Sequence, residues 1–294
     1  MNPAQSILTD IKSLKIQGAT NVALAVLDAL EKTATDTPDI TPEALHELGK
    51  ELAYARPTEP LAQNALRYIF SDSPKTNAIR AKIATYRSFV SDAKTKIARY
   101  GGSMLTDGAT YLTHCHASTV TNTFLAAHRA AKNVHIIATE TRPLFQGRIT
   151  VKELLAGGLE NVTMIVDSAA AAVINDPKRN VAGILIGADL LTETGLVNKI
   201  GSLAIILAAR SRNIPVYCFS TLLKYDPRPF DASLIETRDP KEIWEDAPTD
   251  LTLYDPAFDY TPYLSDVTVV TEAGMIKGSE VKDAALSNYP FIHI

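Results

Sequence analysis

Short apolar segments alternate with helical ones from Gly101 onward, and this alternation most constrains how the chain can fold. Segments with strand character are Thr110–Thr113, Val134–Thr139, Val162–Val166, Ile184–Gly187, Pro215–Phe219 and Val267–Thr271. They are runs of apolar residues rather than apolar–polar alternations, which indicates strands that are buried on both faces. Strands of this kind, separated by helices, are typical of a parallel sheet. We therefore predict an α/β domain over residues 101–294.

Residues 1–100 show helical periodicity instead. Val22, Val26 and Leu30 recur at helical spacing, and Thr41 before Pro42 predicts a capped helix start. Further helices are predicted over Leu61–Phe70 and Lys75–Tyr100. The second of these is polar on one face, as expected of a helix between two domains. We therefore predict a helical N-terminal domain over residues 1–100.

Polar residues also predict helix starts within the α/β domain. Ser118 is expected to cap the helix that follows the first strand, and Ser168 to cap an alanine-rich helix. Thr150 and Glu153 have the spacing of a capping box, which predicts that a helix begins there.

Composition excludes several classes of function. The chain has 294 residues and a net charge of −4, without a basic patch for nucleic acid. Its N-terminal residues lack a basic segment followed by an apolar core, and no apolar run is long enough to span a bilayer. Cys115 and Cys218 are the two cysteines, too few for a disulfide framework. We expect a cytoplasmic protein with small-molecule partners and without nucleic-acid or membrane partners.

Known cofactor motifs are also missing from the sequence. His114 and His116 would point to opposite faces of an extended segment, so they do not form a metal-ligand pair. There is no Walker-type phosphate loop and no G-x-G-x-x-G pattern. We therefore predict neither a metal nor a cofactor.

Reactive and charged side chains follow the predicted strands at their carboxyl ends. In a parallel sheet these ends meet at one edge, and ligands bind there. Cys115 follows the first strand, where the start of a helix would favour its thiolate. The others are Glu140, Arg142 and Arg148 after the second strand, Asp167 after the third, Asp189 after the fourth, and Lys224 after the fifth. We expect Asn198 and Lys199 at the start of the helix after the fourth strand. This set suits proton transfer on an anionic, phosphorylated substrate.

Each of these residues also has a purely structural interpretation. The alternatives are surface ion pairs for Arg142 and Arg148, orientation of neighbouring residues or helix capping for Asp167, and helix capping or turn formation for Asp189. For His114, His116 and His128 the alternative is packing or hydrogen bonding. Cys218 lies in an apolar strand and is expected to be structural. Only the joint pattern favours catalysis.

Six ordered motifs of this chain resemble one family. They are Thr113–His116, Glu140–Pro143, Gln146–Thr150, Gly187–Asp189, Asn198–Gly201 and Phe258–Pro262, and the helical part adds Arg56–Thr58 and Asn64–Tyr68. The family unites the regulatory subunits of eukaryotic initiation factor 2B with methylthioribose-1-phosphate isomerase and ribose-1,5-bisphosphate isomerase. Length and motif variants are most similar to the ribose-1,5-bisphosphate isomerases.

The resemblance implies a helical domain followed by a Rossmann-like domain, assembled into dimers or hexamers. It implies that Cys115 and Asp189 are the catalytic pair, which the regulatory subunits generally lack. Substrate contacts implied by position are Arg56, Arg142, Arg148, Asn198 and Lys199, and we add Lys224.

One residue departs from the family pattern. The isomerases carry Arg-Gly-Ala where this chain has Gln17, Gly18 and Ala19. Glutamine donates hydrogen bonds but has no charge, so it does not replace a bidentate arginine on a phosphate. Gly18 still allows backbone amides to approach a ligand. Two interpretations follow: one phosphate is bound differently from the family pattern, or the substrate is a different sugar phosphate.

The sequence predicts an aldose–ketose isomerase that converts ribose 1,5-bisphosphate to ribulose 1,5-bisphosphate in nucleoside or AMP metabolism. A non-catalytic regulatory subunit that binds a sugar phosphate or a nucleotide is the alternative from another class. Methylthioribose-1-phosphate isomerase is a third possibility, and a nucleotide effector is possible in each case.

Overall fold

The structure is a computed structural model that describes residues 3–72, 74–263 and 267–293. The predicted helices of the N-terminal part are present. They are α1 (Pro3–Lys12), α2 (Ala19–Asp36), α3 (Pro42–Ala53), α4 (Pro60–Phe70) and α5 (Thr76–Met104). The expectation that the N-terminal residues do not form a signal peptide includes Met1 and Asn2, which lie outside the described residues.

The remaining part of the chain alternates strands and helices. Its strands are β1 (Thr110–Thr113), β2 (His135–Thr139), β3 (Val162–Ile165), β4 (Val181–Ile186), β5 (Leu190–Leu191), β6 (Gly195–Lys199), β7 (Val216–Phe219), β8 (Phe258–Pro262), β9 (Val267–Thr271) and β10 (Gly274–Lys277). Its α-helices are α6 (Ser118–Arg129), α7 (Gln146–Ala156), α8 (Ala170–Asn175), α9 (Ser202–Ser211) and α10 (Val281–Asn288).

Seven strands of the described chain form one sheet in the order β10-β9-β7-β4-β1-β2-β3. All neighbours pair in parallel except β10, which is antiparallel to β9. The chain moves outward from β1 to β3 and then returns to β4 on the other side of β1. Such a reversal leaves a crevice at the carboxyl ends of β1 and β4. The predicted α/β class with a helical N-terminal region and a Rossmann-like sheet is confirmed.

A smaller antiparallel sheet, with strand order β5-β6-β8, was not predicted. Its two longer strands contain polar residues, among them Asn198 and Asp259, so they lack the continuous apolar runs that revealed the parallel strands. One consequence is that the prediction of Asn198 and Lys199 at a helix start is wrong. Both lie in β6, paired with β8. Helix α9 begins only at Ser202, because the carboxylate of Asp259 accepts hydrogen bonds from the amides of Gly201 and Leu203 at its first turn.

The helix caps are only partly as predicted. Thr41 accepts a hydrogen bond from the amide of Ala44 and caps α3, as predicted. Ser118 is instead the first helical residue after Ala117, and Ser168 lies in a 3-10 turn, neither with a side-chain capping bond. The predicted capping box at Thr150 is wrong because α7 begins at Gln146, before it.

The N-terminal helices pack directly against the α/β region. One buried hydrophobic cluster includes residues from both, among them Ile69 and Ile206. The side-chain amide of Asn64 in α4 donates to the backbone carbonyls of Leu223 and Tyr225, at 2.7 and 2.8 Å. These buried bonds fix α4 beside the loop that follows β7, and thereby position the N-terminal wall of the site.

Candidate active site

A cavity of about 560 Å³ lies at the carboxyl edge of the parallel sheet, closed on one side by the N-terminal helices. Sheet residues that line it include Cys115 after β1 and Asp189 after β4. Gly187 allows these two loops to meet, because a Cβ there would lie 2.5 Å from the Cβ of Ala117. The cavity therefore occupies the crevice that the strand order creates.

The backbone at Cys115 is held in an unusual conformation. Its φ is 67°, a left-handed value that few non-glycine residues adopt. Its amide donates to the hydroxyl of Thr141 at 3.0 Å, and its carbonyl accepts from the hydroxyl of Thr150 at 3.0 Å. Both hydroxyls come from elements beside β1, so neighbouring parts of the fold stabilise a conformation that would otherwise be costly.

The expectation that Cys115 is a ready thiolate is wrong. Burial raises the pKa of its thiol to about 11, although the nearby Lys199 lowers it. The carboxylate of Asp189 acts in the opposite direction and raises it. Loss of solvation therefore outweighs the benefit expected from the helix start, and the resting form is the thiol.

Asp167 and His114 support the loops around the thiol. The carboxylate of Asp167 accepts from the amides of Thr141 and Arg142, at 2.8 and 2.6 Å. The buried ring of His114 lies 2.6 Å from the Thr139 hydroxyl and 2.9 Å from the carbonyl of Ile200. The structural interpretations of Asp167 and His114 are thus the ones that the contacts support.

A third wall comes from the small sheet and from the loop after β7. Asn198 and Lys199 are buried on β6, and the Lys199 ammonium lies 5.0 Å from the ring centroid of Phe258. The ammonium of Lys224 donates to the carbonyl of Ala188 at 2.6 Å. Because Ala188 precedes Asp189, Lys224 orders the loop that presents this carboxylate to the cavity.

The N-terminal wall contains a buried ionic cluster. One guanidinium nitrogen of Arg56 lies 3.1 Å from a carboxylate oxygen of Glu59 and 2.7 Å from one of Glu236. Arg56 and Glu59 are 5% and 2% exposed, and both line the cavity. Burial raises the pKa of Glu59 to about 7, against the opposing effect of Arg56. Part of the positive charge expected from Arg56 is therefore neutralised within the protein.

The segment Gln17–Ala19 also lines the cavity, just before and at the start of α2. Gly18 has a φ of 82°, and the position that a Cβ would take there is open, so the start of α2 is uncovered at this residue. Cationic side chains outnumber carboxylates in the lining; the cations are Lys15, Arg56, Lys94, Lys199, Lys224 and Arg238. Such a surface suits an anionic ligand.

Two predicted substrate contacts lie outside this lining. Arg142 donates to the carbonyl of Ile243, and Arg148 pairs with Glu140 at 3.4 Å. Both guanidinium groups lie over the ring of Phe145. Gln146, which lies between these two arginines in the sequence, does line the cavity. The surface ion pair considered for Arg148 is what the structure contains.

Sequence reasoning missed Glu59 and Arg238 as cavity residues. Glu59 follows the motif Arg56–Thr58 and stands three residues after its arginine, so the spacing for an ion pair was visible. Arg238 lies in the Asp- and Pro-rich segment before β8 and bonds to Glu242. No local pattern marks it, because only the long loop's path brings it to the cavity.

Neither a metal-binding cluster nor a membrane-spanning helix is found in the described residues. In residues 3–72, 74–263 and 267–293, no group of three or more His, Cys, Asp or Glu side chains is arranged to hold a metal ion. In the same residues, no helix is long and apolar enough to cross a membrane.

Comparison with known proteins agrees with this architecture. The chain is 34% identical over 280 residues to the ribose 1,5-bisphosphate isomerase of Archaeoglobus fulgidus, covering 90% of this chain and 87% of that protein. It is 32% identical over 314 residues to the methylthioribose-1-phosphate isomerase of Heliobacterium modesticaldum, covering 92% and 87%. The fold matches the crystal structure of translation initiation factor eIF-2B from Pyrococcus horikoshii OT3 with a TM-score of 0.81 at 24% identity, over 93% of this chain and 96% of that one.

The match to the initiation factor 2 subunit family spans residues 15–278 and includes every residue placed on the cavity except Leu14. Relatives named as sugar-phosphate isomerases fit a cavity with a thiol, carboxylates and an excess of cations. On these grounds, the chain belongs to the initiation factor 2 subunit family.

Proposed function

We propose that this protein is an aldose–ketose isomerase that converts ribose 1,5-bisphosphate to ribulose 1,5-bisphosphate. The observation that supports this most is the placement of Cys115 and Asp189 after adjacent strands, facing one cavity rich in cations. A ligand with phosphate groups would find Lys199 and Lys224 in the cavity lining, together with the start of α2 at Gly18.

The reaction requires that the sugar ring opens and that a hydrogen moves from C2 to C1. Asp189 is mostly buried and faces the cavity, where it can exchange protons with the sugar oxygens. We assign Cys115 to C1 and C2, either as the base of an enediolate route or as the neutral thiol that packs against the migrating hydride. The N-terminal helices and the small sheet flank the site, which reduces the contact of the opened sugar with water.

Two routes for the hydrogen have different requirements. An enediolate route needs a base at C2, and the Cys115 thiolate is scarce because its pKa is about 11. A direct hydride shift needs no base at carbon. With substrate deuterated at C2, a hydride shift retains deuterium at C1 in the product, whereas the enediolate route exchanges it with solvent. The resting thiol favours retention.

Turnover of α-ribose 1,5-bisphosphate tests the proposal. Ketose formation should be lost in Cys115→Ser and in Asp189→Asn, with folding intact by circular dichroism. Cys218→Ser is the matched control, because that thiol is buried in β7 and outside the cavity lining. The proposal is wrong if the wild type produces no ketose, or if both variants retain wild-type rates.

Methylthioribose 1-phosphate is the second candidate substrate. The cavity lining includes the apolar side chains Leu14, Val90, Leu144 and Ile149, which could accept a methylthio group. Gln17 also supplies no charge for a second phosphate. Assaying both sugars side by side decides between them: a preference for the bisphosphate of at least about tenfold, or about 1.4 kcal/mol, supports the leading proposal.

The remaining expectations concern assembly and regulation. We propose a homodimer or hexamer, located in the cytoplasm and acting in nucleoside or AMP metabolism, with a nucleotide as a possible effector. Light scattering measures the size of the assembly, and its repetition with AMP shows whether this nucleotide changes it. A protein that binds sugar phosphate or AMP without turnover, and whose binding tolerates Cys115→Ser, would instead be a regulatory subunit.

A further inference from the structure

The proposed reaction needs two proton transfers at sugar oxygens in addition to the hydrogen transfer between carbons. The ring oxygen must gain a proton as its bond to C1 breaks, and the 2-hydroxyl must lose one as C2 becomes a ketone. Asp189 alone would have to release one proton and accept another in the same turnover. A second carboxyl group in the cavity would separate these roles.

Glu59 is such a carboxyl group. It is 2% exposed and lies at the start of α4, in the lining of the cavity that Asp189 also faces. One of its oxygens binds Arg56, while the other, Oε2, is buried and has no hydrogen-bond partner among the described residues. An unpartnered buried carboxyl oxygen costs less free energy when the group is protonated and neutral than when it is ionised.

Burial of Glu59 favours its protonated form over the combined effect of the charges around it. Arg56 and Lys224 stabilise the anion, but Asp189 and Glu236 oppose it, and burial is the largest effect. Together these effects raise the pKa of Glu59 to about 7. A carboxyl group that is partly protonated at neutral pH can donate a proton, which an ordinary ionised glutamate cannot.

Resting on the proposed isomerase activity, we propose that Glu59 is a third catalytic residue, the general acid that protonates the ring oxygen while Asp189 acts as the base at the 2-hydroxyl. The C1–O bond breaks with its electron pair on the ring oxygen, which takes the proton of Glu59. The hydrogen passes from C2 to C1 as hydride, with the electron pair of its C–H bond, and Asp189 accepts the proton of the 2-hydroxyl as the O–H electron pair forms the ketone at C2. Solvent then returns one proton from Asp189 to Glu59, which restores the enzyme.

A purely structural role for Glu59 is the competing explanation, because it also holds Arg56. Glu236 provides the matched control. It binds the same guanidinium group at 2.7 Å but is not part of the cavity lining. If Glu59 only positions Arg56, then Glu59→Gln and Glu236→Gln should have the same effect.

The test is the pH profile of ketose formation from α-ribose 1,5-bisphosphate for the wild type, Glu59→Gln and Glu236→Gln. We expect the wild-type kcat/KM to fall as pH rises through neutrality, since the acid must be protonated. Glu59→Gln should lower kcat by at least about 100-fold with little change in KM, and should lose that alkaline fall. Glu236→Gln should retain the fall and most of kcat.

Other outcomes overturn the inference in distinguishable ways. Equal losses in both variants with the alkaline fall retained would mean that Glu59 only positions Arg56. A wild type that produces no ketose would refute the proposed function itself, and the role of Glu59 with it. An active wild type with a fully active Glu59→Gln variant would refute the role of Glu59 alone.

Discussion

Glu59→Gln should change how the stability of the protein depends on pH. The carboxyl group has an ordinary pKa of 4.5 in the unfolded chain and about 7 in the folded protein. The folded state therefore holds its proton over a range in which the unfolded state has lost it, and stability falls as pH rises through that range. A difference of about 2.5 pKa units corresponds to roughly 3 kcal/mol, since each unit is about 1.4 kcal/mol.

Urea denaturation at about pH 4 and about pH 8 measures this effect. Between these pH values the wild type should lose roughly 3 kcal/mol more than Glu59→Gln, because the amide has no ionisation penalty. Asp259 and Glu272 also have raised pKa values through burial, and their contributions cancel in the comparison. Glu236→Gln, which retains Glu59, should follow the wild type. Parallel pH profiles for the wild type and Glu59→Gln would show that Glu59 ionises normally in the fold.

Four further predictions follow from the cavity. Iodoacetamide should modify Cys115 slowly at neutral pH, with a rate that rises towards a pKa of about 11; a plateau near the ordinary thiol value would contradict the burial effect. Gln17→Arg should tighten binding of ribose 1,5-bisphosphate about tenfold by calorimetry, and an unchanged Kd would place the phosphates elsewhere. Lys199→Met should raise KM at least about tenfold, whereas Arg148→Ala, half-exposed and outside the lining, should change it less than about threefold; the reverse order would refute the assignment. Gly187→Val should lower the free energy of unfolding by about 1–3 kcal/mol in urea, because its Cβ position is already occupied, and an unchanged midpoint would show that the loops can separate.

The sequence by itself was sufficient to predict the parallel sheet and several of the residues that line the cavity at its carboxyl edge. Strands such as Thr110–Thr113 and Val267–Thr271 have their predicted boundaries, because continuous apolar runs between helices have few other stable arrangements. Since the carboxyl ends of parallel strands meet at one edge, the order of residues alone predicted that Cys115 and Asp189 would share a cavity.

Only the tertiary structure decided the remaining features of the site. Asn198 and Lys199 belong to a strand because β8, some sixty residues later in the chain, pairs with β6. Arg148 turns away to Glu140, although its motif neighbour Gln146 lines the cavity. The raised pKa values of Cys115 and Glu59 come from burial by elements distant in sequence. Local pattern determines the parallel strands and most helices, but the pairing of β6 with β8, and the solvation and charge at a side chain, depend on contacts that exist only once the chain has folded.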